Sequence, residues 1–151
     1  MTRTDKRMRL CAALLACNLV VIWGNSMLPG NVSGAISDFV RDIAAKILPM
    51  GPEKETGGHF IRKLAHFTEF TALGVLLCWL FSMLKKPLSL AFALGVGAAS
   101  LDETIQRFVP GRVSSLKDVG IDTCGVLAGI LLLRFGYAIY QKKRKHLEET
   151  Q

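Results

Sequence analysis

Four long apolar runs dominate the chain, and each has the length of a membrane-spanning helix. A helix needs roughly 20 mostly apolar residues to cross the hydrocarbon of a bilayer. The runs occupy residues 10–28, 64–84, 88–109 and 119–140. A soluble bundle would need a polar face along every helix, and residues 10–23 have almost none. The pattern predicts an all-α, polytopic membrane protein with four transmembrane helices, in a single domain over residues 1–151.

The connection between the first two runs predicts a shorter, amphipathic helix over residues 33–48. Its charged residues lie opposite a face formed by Ile36, Phe39, Val40, Ile43, Ala44 and Ile47. Ser33 is expected to cap its start, and Pro49 to end it. The segment is too short and too polar to span, so we expect it on the outer membrane surface or over the mouth of the bundle. Residues 50–58, rich in glycine, proline and charge, are expected to form a flexible link.

The start of the chain has two interpretations. Basic residues followed by an apolar run are also typical of a signal peptide, and Cys17 lies where a lipoprotein signal could be cleaved. Apolar sequence continues through Trp23, however, which makes the run long enough to span. We therefore expect the first run to be retained as a transmembrane helix.

The four cysteines give no indication of a disulfide framework or a zinc site. All lie within apolar runs, without CxxC spacing or a paired histidine, at Cys11, Cys17, Cys78 and Cys124. We interpret them as small buried hydrophobic residues.

The formal net charge of +7 fits a membrane topology. Basic clusters at residues 3–9, 85–86 and 142–145 fall on one side of a four-span protein, and cytoplasmic loops carry such an excess. The cell-membrane protein is therefore expected to have both termini in the cytoplasm. The basic tail lacks the aromatic residues and motifs of a nucleic-acid-binding segment, so no nucleic-acid partner is expected.

Polar residues gather where the expected spans meet the outer leaflet. A charge inside a membrane helix is costly and usually faces protein or a water-filled cavity, so such residues indicate function. The candidates for catalysis are His66, Glu69, Asp102, Glu103 and Asp118. The candidates for holding a substrate are Lys63, Gln106, Arg112, Ser114 and Asp122. A network of ion pairs that only fastens the helices together is the structural alternative.

Helical spacing places these residues in stripes that face a common pocket. Small residues, which allow helices to approach closely in lipid, continue each stripe into the membrane. The third span carries Gly95, Ala99, Asp102 and Gln106, and the fourth carries Asp118, Asp122, Gly125 and Gly129. Arg62, His66 and Glu69 share one face of the second span. The Pro110-Gly111 turn is expected to direct Arg112 over the pocket, and Ser114 or Ser115 to cap the fourth helix rather than act as a nucleophile.

The residue types suggest acid–base and anion chemistry. Histidine next to a carboxylate can exchange protons near neutral pH, which suits His66 with Glu69. Arg112, Lys63 and the N-terminus of the fourth helix could hold an anion. Asp102, Glu103 and Asp118 could orient these groups or bind a divalent cation through oxygen ligands, although the sequence does not specify a metal.

Four motifs in this order resemble the VanZ-like family, named for a teicoplanin-resistance protein. They are Trp23-x-x-Ser26-x-x-Pro29, Lys63-x-x-His66-Phe67-x-Glu69-Phe70, Asp102-Glu103-x-x-Gln106 with Pro110-Gly111-Arg112, and Ser114-x-x-x-Asp118-x-x-x-Asp122-x-x-Gly125-x-x-x-Gly129. Phe70 stands where the family commonly has tyrosine, and Asp122 where it commonly has asparagine. The resemblance implies an integral membrane protein, in some members linked to lowered sensitivity to glycopeptide antibiotics.

Three functions remain open at this point. The first is an enzyme of the bacterial cell envelope acting on a lipid-linked, phosphate-bearing cell-wall intermediate. The second is a protein that binds a lipid headgroup or glycopeptide-related ligand without chemistry, and the third is a purely structural polar network. Membrane lipids are expected partners in each case, while catalysis and the oligomeric state stay undetermined.

Overall fold

The chain forms five α-helices. The computed structural model describes residues 2–47 and 54–149, with side chains placed for residues 2–43 and 60–148. The helices are α1 Arg3–Ser26, α2 Gly30–Ile47, α3 Lys54–Met83, α4 Leu88–Arg107 and α5 Leu116–Glu149. Since the described residues contain no strand, the all-α prediction is confirmed.

Four of these helices are long and apolar enough to cross a membrane. They are α1, α4, the Phe60–Met83 part of α3 and the Leu116–Glu148 part of α5. Large apolar side chains on their outer faces stay uncovered, including Leu132 and Phe135 of α5, which are 60% and 68% exposed. Because such surfaces are stable in lipid rather than in water, the predicted multi-pass membrane protein is confirmed.

α3 is the central helix and packs against every other helix of the chain. Its closest partner is α5, because glycines let the two backbones approach each other. Gly125 and Gly129 of α5 lie against the carbonyl oxygens of Phe67 and Thr71, while Gly74 of α3 lies against Val126. The predicted close packing of the fourth span through small residues is therefore confirmed.

The buried core fills the space around α3. Phe70, Leu73 and Leu77 of α3 meet Val126 and Ile130 of α5, and all five side chains are at most 7% exposed. The stripe predicted on the third span is also confirmed, since α4 buries the set Gly95, Ala99, Asp102 and Gln106. The apolar core thus leads directly into a layer of buried polar residues.

The predicted start of the amphipathic helix was wrong. α2 begins at Gly30, which places Ser33 inside the helix rather than at its cap. The backbone N–H of Gly30 donates to the carbonyl of Pro110 at 3.0 Å, and a side chain at residue 30 would overlap the backbone of Gly111. A contact with a turn eighty residues away therefore fixes this start. The predicted end at residues 48 and 49 lies outside the described residues.

Three other helices extend beyond the apolar runs. α3 already begins at Lys54, so residues 54–58 are helical and the prediction of a flexible link there was wrong. α1 begins at Arg3, where Thr2 and Asp5 form a reciprocal capping box. α5 has 34 residues and is about 50 Å long, against about 30 Å of hydrocarbon. A search for apolar runs cannot detect these polar helical ends.

The apolar face of α2 is largely uncovered. Ile36, Phe39 and Ile43 are 50%, 66% and 43% exposed, although α2 packs against α3. An amphipathic helix with an open apolar face suits the boundary between headgroups and acyl chains. This placement agrees with the interpretation of the segment as an interfacial helix.

Candidate functional site

Four helices bring their polar residues together at one end of the bundle. α1 and α4 end there, while the spans of α3 and α5 begin there. Hydrogen bonds and ion-pair distances connect Ser26 of α1, His66 of α3, Asp102 of α4 and Asp122 of α5. This region is named the polar end.

Asp102 is the centre of a satisfied hydrogen-bond network. Its side chain is fully buried, and its Oδ1 accepts from the Ser26 hydroxyl at 2.6 Å. Its Oδ2 accepts from Nε2 of Gln106 at 2.8 Å, and the same amide lies 3.3 Å from the Ser26 oxygen. Both carboxylate oxygens therefore have the partners that burial requires. The network fastens the C-terminal end of α1 to α4.

Asp122 and His66 form a contrasting, unsatisfied group. Asp122 is only 1% exposed, and neither of its carboxylate oxygens has a hydrogen-bond partner among the described residues. Nδ1 of His66 lies 4.0 Å from Asp122 Oδ1 and 3.7 Å from Asp102 Oδ2; this atom is also buried without such a partner in the described chain. An unpaired buried carboxylate is costly, so the arrangement suits an additional bound group.

A small cavity opens beside these side chains. Lys63 stands at its rim, with Nζ 3.5 Å from Oδ1 of Asp118, and Arg62 supplies a second cation. The cavity is lined by Arg62, Lys63, His66, Glu103, Gln106, Asp118, Ile121 and Asp122. Two cations beside a histidine and carboxylates can attract an anion while proton-transferring groups lie within the same cavity.

Glu103 and the serines connect the cavity to the start of α5. Glu103 is 4% exposed, and its Oε2 accepts from the backbone N–H of Ser115 at 2.8 Å. The Ser115 hydroxyl accepts from the N–H of Lys117 at 3.1 Å, so a serine cap on the fourth span is confirmed. Ser114 is exposed and lies along a neighbouring open groove, which Glu103 also lines.

Glu69 lies away from the cavity and points at α1. Its Oε1 accepts from the Asn25 amide at 2.6 Å, and no hydrogen bond or ion pair connects it to His66 in the described part of the chain. The expected pairing of His66 with Glu69 is therefore not the arrangement observed. His66 instead faces the two aspartates of α4 and α5.

Arg112 holds the end of α1. Its Nε donates to the carbonyl of Leu28 at 3.1 Å and its Nη2 to that of Asn25 at 2.6 Å. Burial, followed by the charge of Arg62, lowers the pKa of Arg112 from its ordinary value. Arg112 lines the open groove rather than the small cavity. Its direct contacts thus stabilise the fold.

Two polar residues of α1 belong to the site but were not among the sequence candidates. Ser26 binds Asp102, and Asn25 binds Glu69. Their position at the end of the first span, and for Ser26 its place in the Trp23-x-x-Ser26-x-x-Pro29 motif, gave the sequence signal, while a hydroxyl and an amide carry no charge that would mark them as site residues. The structure shows that they connect α1 to the carboxylates of α3 and α4.

Comparison with known proteins places these helices in a family. The family model described as VanZ/LLP1 matches residues 11–138, which include the cavity and all four apolar runs except residues 10, 139 and 140. Neither a curated protein nor a solved structure matches the chain. Because the family model covers most of the sequence, the chain belongs to the VanZ/LLP1 family.

Proposed function

We propose that this protein is a membrane enzyme of the bacterial cell envelope that hydrolyses a lipid-linked, phosphate-bearing intermediate at the outer leaflet. The observation that carries the proposal is the small cavity of the polar end. There His66 lies beside the unsatisfied carboxylate of Asp122, with Lys63 and Arg62 at the same opening. Acid–base groups and anion-attracting groups thus share one space.

The orientation of the polar end follows from the basic clusters. Residues 3–9, 85–86 and 142–145 all belong to the opposite end of the bundle, where α1 begins, α3 meets α4, and α5 ends. Such clusters remain in the cytoplasm during insertion. The polar end then faces the outside, and both termini are cytoplasmic.

A fusion experiment tests this orientation. Green fluorescent protein attached after Gln151 is expected to fluoresce, whereas alkaline phosphatase attached there should be inactive, because it needs the oxidising exterior to form its disulfides. Both activities are measured in intact cells and divided by the amount of fusion protein. An active phosphatase with a dark fluorescent fusion would place the polar end in the cytoplasm and exclude an outer-leaflet site.

The cavity residues can divide the work of phosphate hydrolysis. Lys63 and Arg62 hold the negative oxygens of the substrate. His66 accepts a proton from water as the water oxygen forms a bond to phosphorus and the bond from phosphorus to the leaving oxygen breaks. The leaving oxygen then takes up a proton, which His66 can return. Asp122 and Asp102 stabilise the histidine while it is charged.

The location of the cavity favours a lipid as carrier of the phosphate. It lies where the spans end, at the depth of headgroups, and the adjacent groove is lined by apolar residues such as Phe108, Val113 and Leu116. These side chains are 81%, 77% and 89% exposed, which suits contact with acyl chains. Glu103 lines both the groove and the cavity, so an acyl chain and its headgroup can lie side by side.

The two alternatives account for only part of the network. Ser26, Asp102 and Gln106 do fasten helices together, since each satisfies the others. Fastening gives no reason for a buried Asp122 that has no hydrogen-bond partner among the described residues, and binding of a lipid headgroup alone needs no proton-transferring histidine beside two carboxylates. Lowered sensitivity to glycopeptide antibiotics, to which some VanZ-like proteins are linked, would then follow from altered cell-wall intermediates.

The proposal is tested with purified protein in lipid nanodiscs and a polyprenyl diphosphate as substrate. Release of inorganic phosphate and appearance of the shortened lipid, measured by mass spectrometry, are the expected results. Nanodiscs without protein provide the background rate. Substrate that is retained but unchanged after long incubation would contradict catalysis and support the binding alternative. Absence of both retention and turnover would exclude this lipid class.

A further inference from the structure

Three potential metal ligands lie close together beside the small cavity, whose lining includes two of them, His66 and Asp122. They are Nδ1 or Nε2 of His66 and one carboxylate oxygen each from Asp102 and Asp122, all within 4.8 Å of one another. Ligand atoms bind a divalent cation at about 2.0–2.2 Å, so atoms sharing one ion lie roughly 3–4 Å apart. The distances of 3.7 and 4.0 Å from His66 Nδ1 to the two aspartates are close to this range.

The hydrogen-bonding of the three side chains provides independent support. Both oxygens of Asp122 are buried and unpartnered among the described residues, and so is Nδ1 of His66, which leaves these atoms available to a bound ion. Asp102 is instead oriented by Ser26 and Gln106. Metal ligands are commonly oriented by a second layer of hydrogen bonds in this manner. If these residues only held the helices together, Asp122 would be expected to have hydrogen-bond donors for both oxygens, as Asp102 has.

We propose that His66, Asp102 and Asp122 bind one divalent cation at the base of the cavity. Its three protein ligands come from three different helices, α3, α4 and α5. One nitrogen and two carboxylate oxygens suit Mn²⁺ or Zn²⁺ better than Ca²⁺, which takes six to eight oxygen ligands. Two of these ligands, His66 and Asp122, line the same cavity as Lys63 and Arg62.

The cation would take part in the proposed hydrolysis of a lipid phosphate, and this part of the inference rests on that proposed function. A bound divalent ion can polarise a phosphoryl oxygen and lower the pKa of a coordinated water, and that water would then replace the proton transfer to His66 described for the protein without metal. Lys63 pairs with Asp118 at 3.5 Å at the rim of the cavity, while Asp102 and Asp122 would bind the ion. An anionic phosphate is then attracted from the rim by two cations and from the base by the metal.

The test is metal binding by the full chain without any substrate. Purified protein is stripped with a chelator and titrated with Mn²⁺ alone while electron paramagnetic resonance measures the free ion. About one ion per chain is expected to bind. His66→Ala and Asp122→Leu are each expected to weaken binding at least about 100-fold, a loss that changes around metal sites can reach. Glu69→Gln, a carboxylate change on the same helix but outside the cavity, should bind as the native protein does.

A second measurement, of the melting temperature, shows whether the variants are folded. Asp122→Leu replaces an unsatisfied carboxylate by an apolar side chain, so its melting temperature without metal should not fall. Saturating Mn²⁺ should raise the melting temperature of the native protein and leave that of Asp122→Leu unchanged.

The outcomes separate this inference from the proposed function. Native protein that binds neither Mn²⁺ nor Zn²⁺, or an Asp122→Leu variant that binds them normally, would overturn the metal site. Phosphate release that persists after the chelator has removed all metal would overturn the part of the cation in catalysis while supporting the enzyme. Metal binding without turnover of any lipid phosphate would keep the metal site and contradict the enzyme.

Discussion

Replacing Gly129 with alanine is expected to disrupt the pairing of α3 with α5 and to abolish the stably folded protein. A methyl group at this position would overlap the carbonyl oxygen of Thr71 and approach the backbone N of Val75 at 2.8 Å. Neither obstacle is a flexible side chain, so the helices themselves must move apart. Overpacking costs about 1–3 kcal/mol where side chains can adjust, and a rigid backbone contact places this substitution at or above the upper limit.

The matched control is on the same helix. Nothing lies within 4 Å of a methyl group added at Gly136, and alanine has the higher helix propensity, so Gly136→Ala should melt at or slightly above the native temperature. Both variants are purified in detergent and compared by size-exclusion chromatography and thermal unfolding. A Gly129→Ala protein with native elution and melting temperature would show that the α3–α5 contact is looser than the structure has it.

The parts of the fold that depend on periodic patterns could be predicted from the sequence, and those that depend on distant contacts could not. Apolar runs and small-residue stripes are periodic, so the four spans and the buried faces of α4 and α5 follow from spacing alone. The start of α2 depends on Gly30 touching the turn at Gly111, and no local pattern contains that information. Helical ends outside the membrane were missed because polar helices and polar loops have similar compositions.

The candidate site was predictable as a location but not as a set of partners. His66 and Glu69 are three residues apart on α3, so their directions differ by about 60° around the helix. That angle is enough to point one at α4 and α5 and the other at Asn25 of α1. Arg112 binds the carbonyl of Asn25 in the last turn of α1 and that of Leu28 just beyond it, since a helix end leaves backbone acceptors that a nearby guanidinium can satisfy.

The polar end therefore contains two kinds of polar residue. Asp102, Glu103 and Glu69 have hydrogen-bond donors at fixed positions, and each connects two segments of the chain. Among the described residues, the carboxylate oxygens of Asp122 and Nδ1 of His66 have no hydrogen-bond partner. Substitutions in the first group should lower stability, while those in the second should act on the bound group. A substitution at His66 can therefore separate a loss of catalysis from a loss of stability better than a substitution in the first group.

His66→Ala is expected to reduce phosphate release by about 10³-fold while leaving the protein folded. General acid–base groups contribute about 10²–10⁴ in rate, and alanine removes the proton-transferring ring from the cavity. His66 is not one of the side chains that hold the helices together through hydrogen bonds, so its loss should change the melting temperature little. Thr68→Ala is the control, because Thr68 is exposed on the same helix and, among the described residues, its hydroxyl donates to the Ala65 carbonyl of its own turn alone. Rates are measured at saturating polyprenyl diphosphate, so that weaker substrate binding does not imitate a loss of chemistry. Turnover by His66→Ala at the rate of Thr68→Ala would remove the histidine from the mechanism; an unfolded His66→Ala would instead make it a structural residue.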